Sequence, residues 1–268
     1  EMLTEEHAWP IDDVWGMHDF CASSAQNASG FEQRVQNYTS YDSLKSFVRG
    51  AQMVNYENHK ALFEAVYARR GNGMLMWMSQ SAWPSMVWQT YDYYYDTNAG
   101  YFGLKKANQP INAIWNAANN TLVLSNTTAQ PLEKATTLLR IYNLKGEKIY
   151  EQSFVKSLPA DSMAVLTALP NVAALEGATD MGFIVTQVFD ENGQFISDNF
   201  YWNNFNTYME NKVLDSLAKV SLKTAYKKLE DIDGNSRYGV ALTNHSDTPA
   251  LLARVKTIDK ATGQRMLP

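Results

Sequence analysis

The spacing of apolar positions changes twice along the chain. Residues 1–40 keep no sustained period: HAWP, DDVWGMHDF and an Asn/Ser-rich stretch read as an irregular polar segment. Leu44, Phe47, Val48, Ala51, Val54, Leu62, Phe63 and Val66 then recur at roughly helical spacing and predict one long helix. Asp42 or Ser40 can cap its start. Arg69 and Arg70 suit the negative end of its dipole, and Gly71-Asn72-Gly73 stops it. Met74-Leu75-Met76-Trp77-Met78 follows, wholly apolar and flanked by glycine, as in a strand buried on both faces of a parallel sheet. Helix, loop and buried strand make an α/β unit.

After about residue 110 the texture is that of short strands. Thr121–Leu124, Ala135–Tyr142, Lys148–Phe154, Ser162–Leu166, Phe183–Phe189 and Phe195–Trp202 are rich in β-branched and aromatic residues. Asn143–Gly146 and Asp190–Gly193 supply turn chemistry. This spacing predicts an antiparallel sandwich of immunoglobulin type, with Pro110 and the NAANN stretch at its boundary. Asn206–Ala218 reads as a polar connector, and Lys219–Leu229, Ser236–Asn244 and Ala250–Asp259 as strands of a second sandwich. The third piece has roughly 60 residues, where a complete sandwich takes about 100. One or two α/β units cannot close a sheet alone. The expectation is therefore the C-terminal portion of a larger protein.

Charge narrows the function classes. The 268 residues carry 23 Lys and Arg against 28 Asp and Glu, a net charge of -5, which does not make the basic surface of a nucleic-acid binder. Cys21 is the only cysteine, so there is no internal disulfide and no thiolate metal cluster. His7, His18, His59 and His245 show no ligand spacing. No apolar run approaches the ~18–20 residues that span a bilayer. EMLTEEHAWP lacks the charged and apolar regions of a signal peptide. The triplets at Asn27, Asn37, Asn119, Asn126 and Asn244 are common by chance in an Asn-rich chain, and in a bacterial protein they would mean nothing.

The densest feature is GMLMWMSQSAWPSMVWQTYDYYYDTNAGYFG, Gly73 to Gly103. It contains Trp77, Trp83, Trp88 and five tyrosines but no lysine, arginine or glutamate. Three readings fit such a cluster: core packing, since Trp is mostly buried; a protein interface, where Trp and Tyr are enriched; or sugar recognition, in which the C–H faces of a pyranose pack flat on the rings.

Extended to GMLMWMSQSAWPSMVWQTYDYYYDTNAGYFGLKKANQPI, the stretch resembles the last barrel strand and following loop of glycoside hydrolase family 2. The branch it resembles holds exo-β-D-glucosaminidase and mannosylglycoprotein endo-β-mannosidase. Gly100-Tyr101-Phe102-Gly103-Leu104-Lys105-Lys106-Ala107-Asn108-Gln109-Pro110 is similar to that branch's G-x-Y-F-G-x-K-K-A-N-x-P. The helix ahead, Val48–Asn58 with Phe63-Glu64-Ala65, and the GQFISDNFYW strand at Gly193–Trp202 resemble further segments of the family. The resemblance implies α/β plus β: the C-terminal end of a (β/α)8 TIM barrel at 1–110, an immunoglobulin-like β-sandwich at 111–205, and an incomplete further β-sandwich at 206–268.

It also implies a retaining β-glycosidase that needs no organic cofactor, acting on a β-linked glucosamine or mannose oligosaccharide. Such enzymes use two carboxyls about 5–5.5 Å apart, and the resemblance puts both glutamates upstream of residue 1. EMLTEEHAWPIDDVW resembles the segment just after the nucleophile, so Glu1, Glu5 and Glu6 receive no catalytic role and the chain alone is expected to be inactive. Trp77, at the end of the eighth barrel strand, is the residue expected to stack on substrate, because barrel active sites lie at that end. Gln80 stands where the family usually has Asn. Trp83, Trp88 and Tyr91 are expected to line the rim or the floor below it, and the remainder of Tyr93–Tyr95 to pack between barrel and sandwich. His18, in Trp15-Gly16-Met17-His18-Asp19, either reaches the pocket or, the favoured reading, is a hydrogen-bonded loop histidine. The alternatives are a non-catalytic carbohydrate-binding or structural β-sandwich protein, and another family 2 specificity such as β-galactosidase. A periplasmic or secreted bacterial location goes with the resemblance.

Overall fold

The computed structural model describes residues 3–20, 28–86, 89–205, 210–263 and 265–266. Where the pattern predicts an irregular segment, the described residues before 40 hold short helices at Glu5–Ala8 (α1), Asp13–Met17 (α2) and Ala28–Gln36 (α3). Each is too short to display a helical period. A local cap and burial hold α2, and burial of Val35 holds α3. Asp12 Oδ1 accepts from the Val14 N–H at 3.0 Å at the start of α2, and Trp15, Phe20, Val35 and Tyr38 enter one core with Phe47, Met53, Val54 and Tyr56 of the following helix.

That helix, α4, spans Leu44–Tyr67. Its cap is Ser43 rather than Asp42 or Ser40: the Ser43 hydroxyl takes the free N–H of the first turn, while Asp42 accepts only from the Ser46 hydroxyl. Ser43 Oγ accepts from the Ser46 N–H at 3.3 Å, and Ser46 Oγ accepts from the Ser43 N–H at 3.1 Å, a reciprocal capping box. Ser43→Ala is expected to cost about 1 kcal/mol, read as a lowered urea midpoint. The buried face is Phe47, Gly50, Met53, Val54, Tyr56, Lys60 and Glu64, whereas Val48 and Leu62 are exposed. Two charged residues thus occupy positions that an apolar tally assigns to solvent.

The buried strand expected at Met74–Met78 does not form. These residues are irregular, and Leu75 is 99% exposed. A parallel strand exists only through its ladder partners, and among the described residues none lies beside it. The α/β unit is absent with it. Helix α5, Ala99–Ala107, follows. Asn98 Oδ1 accepts from the Tyr101 N–H at 3.3 Å at its start, and Gln52 Oε1 of α4 accepts from the Ala99 N–H at 2.7 Å.

Most of the remaining chain is β-sandwich. Strands β1 (Ile111–Asn116), β2 (Thr121–Asn126), β3 (Leu132–Asn143), β4 (Lys148–Leu158), β5 (Ser162–Ala168), β6 (Met181–Phe189) and β7 (Phe195–Asn204) form two antiparallel sheets, ordered β1-β2-β5 and β4-β3-β6-β7. In β3 the side chains of Leu132, Ala135, Thr137, Leu139, Ile141 and Asn143 are buried, with strict alternation from Ala135 onward. Leu132, Ala135, Leu139 and Ile141 meet Leu122 and Leu124 of β2 and Ile184 and Val188 of β6 in a second core.

The last piece departs from its expected strands. Lys212–Ser216 of the supposed connector is a turn of 3-10 helix that buries Leu214. Leu222–Lys228 (β8) and Tyr238–Asn244 (β9) pair as a hairpin, but of Ala250–Asp259 only Thr257–Ile258 (β10) is strand, paired with Arg265–Met266 (β11). An isolated hairpin has no sheet to bury a face against, and Tyr226, Tyr238, Val240 and Leu242 are exposed accordingly.

Candidate functional site

The stretch from Gly73 to Gly103 folds back on itself. The Thr90 and Tyr91 N–H groups both donate to the Ser79 carbonyl, at 3.1 and 2.9 Å. Gln80 and Thr97 each bridge Tyr91 along the backbone. Ser79–Gln80, Tyr91 and Thr97 therefore lie side by side, and residues 92–96 project as a loop. Asp92 Oδ1 shapes this loop by accepting from the Tyr94 and Asp96 N–H groups at 2.9 and 2.8 Å.

Trp77 is 77% exposed and Trp83 43% exposed, so neither fills the core. Trp83 stacks on His18, ring centroids 5.5 Å apart and planes at 21°. His18 Nδ1 donates to the Pro84 carbonyl at 2.7 Å, and the His18 carbonyl accepts from the Met86 N–H at 2.7 Å. His18 is thus a hydrogen-bonded loop histidine that fixes the segment carrying Trp83. Tyr91 packs edge-on against Tyr101 at 5.3 Å, and burial together with the Tyr101 hydroxyl raises its hydroxyl above the ordinary range. Trp88 lies outside the described residues. Tyr93–Tyr95 do not pack between two domains: all three are exposed, and with Gln80, Ser81 and Ala82 they line an open hollow. The loop held by Asp92 turns them outward. Glu5 and Glu6 sit in α1, exposed.

The structure also gathers a polar cluster that sequence reasoning did not single out. Lys60 Nζ lies 2.9 Å from Glu64 Oε1 and 3.3 Å from the centroid of the Tyr201 ring. Glu64 Oε1 also accepts from Asn199 Nδ2 at 2.7 Å and from the Tyr201 hydroxyl at 3.0 Å. Burial drives Lys60 down to about 8, against the opposing pull of Glu64. The Tyr38 hydroxyl donates to Glu57 Oε2 and accepts from Trp202 Nε1 at 3.0 Å. Burial raises Glu57, partly offset by the Tyr38 bond. Tyr38, Glu57, Lys60, Glu64, Tyr201 and Trp202 line a cleft of about 440 Å³ between α4 and the β1–β7 edge of the sandwich. Their polar groups satisfy one another, so the cluster fastens helix to sandwich. Lys106 and Asp198 form a further ion pair joining α5 to β7. A signal was available: Glu64, Asn199, Tyr201 and Trp202 all stand in the quoted motifs, and Lys60 precedes Glu64 by one helical turn.

Among the described residues no three His, Cys, Asp or Glu side chains stand together as a metal site, and no helix is long and apolar enough to cross a membrane.

Comparison with known proteins places the likeness among glycoside hydrolases. More narrowly, residues 183–268 match the family described as the exo-beta-D-glucosaminidase Ig-fold domain. The chain is 28% identical over 264 residues to an exo-beta-D-glucosaminidase of Amycolatopsis orientalis, covering 87% of this chain and 25% of that protein. It is 25% identical over 193 residues to a mannosylglycoprotein endo-beta-mannosidase of Lilium longiflorum, covering 70% of this chain and 20% of that one. The chain thus spans about a quarter or less of these relatives. Among solved structures, the exo-chitosanase CsxA of Amycolatopsis orientalis, in complex with PNP-beta-D-glucosamine, superposes with a TM-score of 0.81 at 26% identity, over 92% of this chain and 32% of that one. The resemblance to the exo-β-D-glucosaminidase and β-mannosidase branch is borne out. The β-sandwich content matches, while a barrel is not formed by the described residues.

Proposed function

We infer that this chain forms one wall of the sugar pocket in a retaining exo-β-glycosidase acting on β-glucosaminides or β-mannosides, with the two catalytic glutamates outside it. Residues 1–110 then serve as the end of the catalytic barrel, 111–205 as an immunoglobulin-like support and 206–268 as the start of a further β domain. The observation that carries this is Trp77. This residue is 77% exposed, in the segment that resembles a barrel's substrate-facing end. Gln80 follows it, and Trp83 on its His18 support stands nearby in sequence. Amino sugar is favoured over mannose because the matched family and the superposed complex both concern glucosamine. A periplasmic or secreted location fits a polysaccharide substrate.

Stacking a pyranose on an exposed indole removes apolar area from water, and a stack of this size changes affinity by about tenfold or more. Calorimetric titration of the chain with glucosamine is therefore expected to show binding that weakens roughly tenfold in Trp77→Ala. Unchanged affinity in that variant would remove Trp77 from the pocket and favour a purely structural β protein.

A further inference from the structure

We propose that Arg254 is a positioning residue: from the C-terminal β piece it clamps the folded-back segment that carries Trp77, and so sets how tightly the site holds its ligand. The effect on ligand rests on the pocket reading above, whereas the clamp itself does not.

Gly73–Gly103 contains two charged residues, Asp92 and Asp96, and no cation. The Asp96 side chain is 28% exposed, and a carboxylate withdrawn that far from water favours a cation beside it. The cation comes from the stretch after β9, which is anchored by Leu251 against the first core. The Arg254 guanidinium pairs with Asp96 Oδ1, donates to Thr97 Oγ1 at 3.1 Å and lies 5.4 Å from the centre of the Phe102 ring of α5. A planar fork can serve a carboxylate, a hydroxyl and a ring together, which a single ammonium cannot. Lys256 Nζ adds a second cation 3.6 Å from Asp96 Oδ2.

The clamp reaches Trp77 through the backbone. Thr97 bridges Tyr91, and Tyr91 bridges Gln80. The Tyr91 N–H donates to the Ser79 carbonyl at 2.9 Å, and the Asn98 N–H to the Thr90 carbonyl at 3.1 Å. Ser79 stands two residues beyond Trp77. Trp77 is 77% exposed, so little packing of its own fixes it. Its place is set by the pairing of Ser79–Gln80, Tyr91 and Thr97, and Arg254 grips the outer member of that set.

Hydrogen exchange on the intact chain reads the clamp without any ligand. In Arg254→Met the Tyr91 and Asn98 amides are expected to exchange about tenfold faster, with the β3 and β6 amides unmoved. Calorimetric titration with glucosamine reads the consequence. Binding is expected to weaken about threefold in Arg254→Met, the scale of a partly exposed ion pair. Arg254→Lys, which keeps the charge and loses the fork, is expected to fall between. Raising NaCl from about 0.1 M to about 1 M is expected to weaken wild-type binding roughly twofold by screening the pair, and to have no such effect on Arg254→Met. Unchanged exchange at Tyr91 and Asn98 overturns the proposal. Faster exchange in β3 and β6 as well, the mark of a merely structural loss, also overturns it. Faster exchange at the loop with an unmoved glucosamine Kd overturns the effect on the site. If wild type binds no glucosamine, the pocket reading and the effect on ligand fall together, while localised exchange still upholds the clamp.

Discussion

Lys60→Met is expected to destabilise the chain by about 3–5 kcal/mol at pH 7, the range found when one partner of a buried ion pair is removed. The side chain leaves Glu64 buried beside Asn199 and Tyr201 with its countercharge gone, and it strips a cation from the Tyr201 ring. Adding Glu64→Gln is expected to recover a large part of the loss, because the amide oxygen still accepts from Asn199 and Tyr201 without carrying a charge. The same pair sets a pH dependence. Lys60 releases its proton at about 8 in the folded chain, whereas an unfolded lysine keeps it to 10.5. Between those values the unfolded state binds more protons, so raising the pH stabilises the fold. Wild type is therefore expected to gain on Lys60→Met as pH rises from 8 towards 10, measured as the difference in urea midpoints. A Lys60→Met variant within 0.5 kcal/mol of wild type, about the scale of an ordinary surface change, would refute the fastening role.

Gly103→Ala is the second large effect, and its sign runs against helix propensity. Alanine at an exposed helical site is favoured over glycine by about 1 kcal/mol. At Gly103, inside α5, a Cβ would stand 2.4 Å from the Tyr56 carbonyl oxygen and 3.3 Å from the Lys60 nitrogen of α4. Both obstacles are backbone, so the helices must part, and with them the seat of Lys60. The expected net loss is about 2–3 kcal/mol, an overpacking cost. Gly16 in α2 is the control: nothing lies within 4 Å of its Cβ position, and Gly16→Ala is expected to be neutral or stabilising. If the two alanine variants unfold at the same urea concentration, the close helix approach is wrong.

What could be read in advance follows from where the physics is local. The alternation in β3 and the turn at Asn143–Gly146 are local, and the sandwich was legible from them. Strand β1 was not, because Asn112, Ala113 and Ile114 are all buried in succession and leave no alternation to see. Met74–Met78 misled for the opposite reason: an apolar run says nothing about whether a neighbouring strand is there to pair with it. The burial of Lys60 depends on Glu64 and Tyr201 arriving from one helix turn and 141 positions away along the sequence, so no local pattern shows it. In the candidate site, the resemblance pointed to Trp77 and Trp83, and both rings are exposed. It assigned Tyr93–Tyr95 to packing, whereas the Asp92 turn and the Arg254 clamp present them to solvent.

On the function proposed above, this chain binds the sugar without cleaving it. Saturation-transfer NMR with PNP-beta-D-glucosamine reads both events in one tube. Transfer from protein to the sugar ring protons, weakened in Trp77→Ala, with the anomeric signal unchanged over days, is the expected result. Release of nitrophenol by the pure chain would contradict it and would place a working pair of carboxyls within these residues. Absence of transfer would contradict the pocket itself.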